Sequence, residues 1–142
     1  MNPTATRGIA PVVPTSLPEY APTALTDFSK NENRAAFEKA LEKVRAQLGQ
    51  DHPLVIGGER VAGSGTFAST NPSKPAQVIG PFASGTREQA TRAIEVADRA
   101  FASWSRVPAR ERAAYLIEAA RRMRERRHEF SAWMVFEVGK SW

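Results

Sequence analysis

Few side chains in this sequence are placed to do chemistry, and their spacing argues against most of what they could do. His52 and His128 lie far apart, with no Cys, second His or Glu at ligand spacing beside either. A metal centre or a general-base pair needs such a neighbour, so both read as loop histidines. No serine sits in a Gly-x-Ser-x-Gly elbow, which leaves a serine hydrolase without footing. Gly63-Ser64-Gly65 starts like a dinucleotide loop, but no helix opens after it and the third glycine is missing, so it reads as a hairpin turn. Gly139-Lys140-Ser141 has the ending of a phosphate loop, yet Met134 stands where the earlier glycine is required. The chain has no cysteine, which removes a disulfide framework, a thiolate metal site and a cysteine nucleophile.

Five guanidinium groups fall within seven residues at Arg121, Arg122, Arg124, Arg126 and Arg127. Such a cluster could take phosphate, but Glu118, Glu125 and Glu129 are interleaved with it. A nucleic-acid face would omit those carboxylates and add aromatics at stacking positions, so a solvated or intersubunit face is the better reading.

The elements that would carry these residues follow from periodicity and turn chemistry. Residues 1–26 hold Pro3, Pro11, Pro14, Pro18 and Pro22 and only two charged side chains, Arg7 and Glu19. Proline fixes φ and lacks the amide donor, so this stretch reads as an extended arm. Residues 27–49 read as a surface helix, opened by the capping-box spacing Ser29-Lys30-Asn31-Glu32 and closed at Gly49. Phe37, Leu41, Val44 and Leu48 share its one sparse apolar side.

Residues 50–142 then change character. Leu54–Ile56 and Glu59–Val61 flank Gly57-Gly58 at the spacing of a tight hairpin. Thr66–Thr70 and Gln77–Ala83 flank the turn Asn71-Pro72-Ser73-Lys74-Pro75, and together these strands are expected to form one small antiparallel sheet. Thr86-Arg87-Glu88-Gln89 is a second capping box, followed by Ala90, Ile94, Ala97, Phe101 and Trp104 at steps of three and four. Pro108 fits the first position of a new helix. Beyond it Ala113, Leu116, Ile117, Ala120, Met123, Phe130 and Met134 share one side, with Arg127 in the middle of the stripe. Trp133 and Phe136 lie off that side, so the spacing predicts a break over Arg126–His128. Gly139 then caps the second piece, with Lys140 near its negative end.

Composition adds limits. The chain carries a formal charge of +5 with a pI near 10.1, drawn mainly from the stretch between Arg106 and Arg127. No apolar run approaches the roughly 18 residues of a membrane span, and the N-terminus lacks the basic-then-apolar order of a signal peptide. A cytoplasmic protein without membrane partners is expected.

The order of the motifs resembles the aldehyde dehydrogenase superfamily. It runs from Ile56-Gly57-Gly58-Glu59 through Phe67-Ala68-Ser69-Thr70-Asn71-Pro72-Ser73 and Val78-Ile79-Gly80. It continues with a helix ending in Ala100-Phe101 and Trp104, a helix start at Pro108-x-Arg110-x-Arg112-Ala113, and Glu137-Val138-Gly139-Lys140. Within that superfamily the chain is similar to the L-glutamate γ-semialdehyde (1-pyrroline-5-carboxylate) dehydrogenases. Asp27-Phe28-Ser29-Lys30-Asn31-Glu32-Asn33-Arg34, Lys43-Val44-Arg45 and His52-Pro53-Leu54-Val55-Ile56-Gly57-Gly58 occupy the places of their motifs, with His52 where a tyrosine usually stands.

The resemblance implies an α+β fragment: short antiparallel strands plus amphipathic helices, the N-terminal part of an aldehyde dehydrogenase α/β fold without its Rossmann core. It also implies oxidation of a small-molecule aldehyde to an acid through a cysteine thiolate, with hydride passing to NAD, by an enzyme of proline catabolism that is a homo-oligomer when complete. The groups that do this belong to later parts of the family's chain, so no catalytic, NAD-contacting or metal-ligating residue is assigned here and the segment alone is expected to be inactive. Some members bind a monovalent cation through a main-chain oxygen before the Asn-Pro turn and an acidic side chain before x-Gly-Lys. Ser69 or Thr70 and Glu137 occupy those places, where Glu137 reads more simply as a helix-end carboxylate. The alternative function is a basic helical module that binds nucleic acid or an acidic protein.

Overall fold

The computed structural model describes residue 16 and residues 19–142, so most of the expected arm lies outside the described residues. Residues 19–26 have no helix or strand. The elements in order are helix α1 (Asn31–Arg45), strands β1 (Leu54–Ile56), β2 (Glu59–Val61), β3 (Gly65–Asn71) and β4 (Lys74–Ser84), and helices α2 (Arg87–Trp104), α3 (Ala109–Glu125) and α4 (Arg127–Val138).

α1 does not begin as its sequence suggests. Asp27 captures both the amide and the hydroxyl of Ser29, at 3.0 and 2.6 Å, so the helix is capped at Lys30 without a side-chain bond. The Ser29 hydroxyl cannot serve the helix while it serves an Asx turn, a local competition that short polar side chains often enter. Most residues of α1 are exposed, but its sparse apolar side is covered. Phe37, Ala40 and Val44 are buried, and Ala40 and Val44 form a core with Ile79 of β4 and with Ala132 and Phe136 of α4. The few apolar residues of α1 are enough because they all fall on one face and α4 covers that face.

The strands form two separate two-stranded sheets, β1–β2 and β3–β4, rather than the single sheet expected. Gly57 and Gly58 have φ of 63° and 84°, the pair of positive values that a two-residue hairpin needs, and this sets Leu54 opposite Val61. The two sheets approach each other through His52. Its N–H donates to the Pro81 carbonyl, and its own carbonyl accepts from Ala83 N–H, forming an isolated parallel bridge with β4. A register shift in β3–β4 pairs Ser69 with Gly80 and Thr70 with Val78. Ile79 is thus left without a partner across the ladder, and this bulge residue is the one that β4 sends into the core.

α2 opens with both halves of the expected capping box, Thr86 Oγ1 accepting from Gln89 N–H and Gln89 Oε1 accepting from Thr86 N–H. Pro108 is the cap of α3 rather than its first helical residue. Its ψ of 140° is extended, and its carbonyl accepts from Glu111 and Arg112. The break after α3 falls at Arg126, with φ −104° and ψ 19°, inside the expected range. The break rephases the chain. Phe130 and Met134 stay exposed, and α4 buries Ala132 and Phe136 instead of continuing the α3 stripe.

Candidate functional site

Five places gather polar or reactive groups. The first is the far end of α4. Gly139 adopts φ 67°, and its carbonyl accepts a 3.4 Å bond from Ser73 Oγ, so the helix end sits on the Asn71–Ser73 turn. Asn71 is buried and organises that turn, its Oδ1 accepting from Ser73 N–H and its Nδ2 donating to Gln77. α4 also packs against β3, the strand that carries Ser69 and Thr70. The structure therefore brings together the two motifs that the sequence placed nearly seventy residues apart. Glu137 is exposed in the last turn of α4. Among the described residues no three His, Cys, Asp or Glu side chains converge as a metal-binding group.

The second place is the arginine stretch. Arg121 pairs with Glu118 at 2.7 Å and also with Glu125, Arg122 pairs with Glu118 at 2.6 Å, and Arg126 pairs with Glu129 at 2.6 Å. The Arg121 and Arg122 hydrogen bonds hold the Glu118 carboxyl at about 2, and the same contact with Glu118 raises Arg121 further. Arg121, Arg122 and Arg126 are therefore each tied to a carboxylate three or four residues away.

Glu129 forms the third place, and nothing in the sequence announces it. It is buried, and accepts from Lys43 of α1 at 2.7 Å and from Arg126 at 2.6 Å. Arg126 and then Lys43 hold its carboxyl at about 2. Lys43 and Glu129 are separated by 86 residues, a distance over which helical spacing gives no signal.

The two histidines occupy unrelated settings. His128 packs edge-on to Phe37, with centroids 6.0 Å apart, and burial followed by the Arg127 charge lowers its pKa. It lines an open groove of about 720 Å³ between residues 23–28 and α4, with Phe28, Phe37, Arg127, Met134 and Trp142. His52 stacks on Phe82 at 4.3 Å, and its Nε2 is buried without a hydrogen-bond partner among the described residues. Neither arrangement pairs a nucleophile with a base.

The resemblance implies NAD for the complete enzyme, and a dinucleotide cradle is built on parallel strand–loop–helix units. Both sheets are antiparallel, no strand–loop–helix unit follows Gly65, and the N-terminus of α2 is closed by its own capping box. Among the described residues, no helix is long and apolar enough to cross a membrane.

Known proteins give the context for these features. The sequence pattern described as the aldehyde dehydrogenase family matches residues 60–142. A 1-pyrroline-5-carboxylate dehydrogenase of Geobacillus thermodenitrificans is 50% identical over 123 residues, 87% of this chain and 24% of that protein. The solved structure of a Thermus thermophilus 1-pyrroline-5-carboxylate dehydrogenase mutant has a TM-score of 0.85 and 39% identity, covering 90% of this chain and 25% of that one. A Thermus 1-pyrroline-5-carboxylate dehydrogenase with bound NAD has the same TM-score at 38% identity, over the same shares of the two chains. This chain thus spans about a quarter of the length of the proteins it matches, and its two hairpins and four helices are an N-terminal part of their fold. With more than half of its residues inside the family's pattern, the chain belongs to the aldehyde dehydrogenase family.

Proposed function

We propose that the chain is the N-terminal segment of an NAD-dependent aldehyde dehydrogenase that oxidises L-glutamate γ-semialdehyde to L-glutamate in proline breakdown. The observation that carries this reading is the extent of the similarity. The family pattern starts at residue 60, whereas an alignment over 123 of the 142 residues must also take in α1. The region ahead of the common pattern therefore also aligns with a relative named for this activity, and it is built into the core through Ala40 and Val44.

The role of the segment in that enzyme is structural. It holds no cysteine for the thiolate step, and among the described residues both sheets are antiparallel, unlike the parallel units of a dinucleotide cradle. NAD and the aldehyde then bind groups outside residues 1–142, and the complete protein is a soluble cytoplasmic homo-oligomer. Two measurements test this. The purified chain with NAD and L-glutamate γ-semialdehyde is expected to form no NADH, and turnover would overturn the structural role. A chimera in which this chain replaces the matching quarter of the Geobacillus enzyme is expected to keep that enzyme's activity. A folded but inactive chimera would count against the substrate assignment.

A further inference from the structure

α2 and α3 each carry an apolar stripe that nothing among the described residues covers. Ile94 and Phe101 on α2 are 71% and 63% exposed, and Leu116 and Met123 on α3 are 75% and 54% exposed. α2 buries no residue at all, and α3 buries only Ala114. The exposure does not come from undocked helices. α2 is fixed to the β1–β2 hairpin through its other edge, where Val96 meets Gly57, Gln89 donates to the Ala62 carbonyl at 2.8 Å, and Arg92 pairs with Glu59. α3 is joined to the end of α2 by Trp104 against Tyr115, with centroids 5.5 Å apart. Helices held on one side with large apolar side chains on the other mark an interaction surface.

We infer that the stripes of Ile94, Phe101, Leu116 and Met123 are the docking surface for the catalytic remainder of an aldehyde dehydrogenase chain, and that they bind it even when it is a separate polypeptide. The occupant follows from what the matched proteins contain. Each aligns with this chain over only about a quarter of its length, so the larger part of the fold has no counterpart here. Burial elsewhere in the chain points the same way. The apolar face of α1 meets that of α4, leaving α2 and α3 as the helices whose stripes await another layer. The inference rests on the reading of the chain as a dehydrogenase segment, and its test separates the two.

The full chain, carrying an affinity tag, is co-expressed with the part of the Geobacillus thermodenitrificans enzyme that lies outside the matched quarter. Recovery of that partner on the tag at one-to-one stoichiometry is expected. Ile94→Lys and Leu116→Lys, which place a charge in the buried interface, are expected to reduce recovery about tenfold or more. Both positions are exposed in the free chain, so circular dichroism should show unchanged helix content, and Lys39→Glu on the solvent side of α1 should leave recovery unchanged. No recovery, recovery indifferent to both lysine variants, or a self-dimer of the chain that excludes the partner would each overturn the inference. The recovered pair is then assayed with NAD and L-glutamate γ-semialdehyde. A pair that docks without turnover removes the proposed function and leaves the surface standing.

Discussion

Replacing Glu129 by glutamine isolates the charge that joins the first helix to the last. The amide keeps the shape of the carboxylate, so local packing is preserved while the ionic bonds to Lys43 and Arg126 are lost. A hydrogen bond to a charged group is worth about 1.5–3 kcal/mol net. Lys43 and Arg126 are each 58% exposed, and screening at such positions reduces the joint value to about 1–2 kcal/mol. The pH dependence follows from the direction of the shift. Glu129 titrates at about 2 in the folded chain against an ordinary 4.5, because the Arg126 and then the Lys43 hydrogen bonds favour its ionised form. A depressed carboxyl pKa gives stability that is complete above the ordinary value and is lost as pH falls through the folded one. Urea unfolding of wild type and Glu129→Gln, followed by circular dichroism, should therefore show a constant gap from about pH 6 to 8 that narrows below about 4.5 and closes near 2. A gap under about 0.3 kcal/mol at neutral pH, or one that stays constant down to about pH 3, would refute the assignment.

Gly139→Ala should cost about 1–3 kcal/mol through the strain at φ 67°, and a Cβ 2.5 Å from Ser73 Oγ would turn that hydroxyl off the Gly139 carbonyl. Gly58→Ala, at φ 84° with open space around it, should cost only about 1 kcal/mol, and thermal melts of the two variants side by side decide whether the Ser73 contact is real. Thr86→Ala should cost about 1 kcal/mol through the lost capping box, with faster amide exchange confined to the first turn of α2. His52→Phe keeps the stack on Phe82 and removes a buried nitrogen without a partner, so stability should hold or rise by about 1 kcal/mol, and a loss of that size in a urea titration would reveal a partner for Nε2.

Local chemistry was legible in the sequence where one short stretch decides the outcome. The capping box at Thr86, the glycine hairpin at Gly57-Gly58, the break at Arg126 and the left-handed cap at Gly139 each depend on a few adjacent residues. Reading failed where two local options compete or where distant segments meet. Ser29 had a helix to cap, but Asp27 lay two residues away and took both its donors. The apolar side of α1 looked too sparse to be buried because its cover, Ala132 and Phe136, comes from the other end of the described chain. The strands were expected to merge into one sheet because their alternation fixes faces but not neighbours, and two short hairpins satisfy it equally well.

The helices with covered and uncovered apolar faces also sit differently relative to the family's pattern. α1 precedes the family's pattern, which begins at residue 60, and it spends its apolar side on α4. Lys43 adds an ion pair to the same contact, so the added helix seals α4 with both packing and charge. α2 and α3 fall inside the pattern and keep Ile94, Phe101, Leu116 and Met123 outward. α1 therefore closes a face of α4 and leaves the stripes of α2 and α3 uncovered among the described residues. Variation at Phe37, Ala40 or Val44 should then change the stability of the segment without changing the docking of a catalytic partner. Charges at Ile94 or Leu116 should do the reverse. A Val44→Ala variant that abolished docking while its α2 and α3 remained helical would show that the two faces are coupled and that this division is wrong.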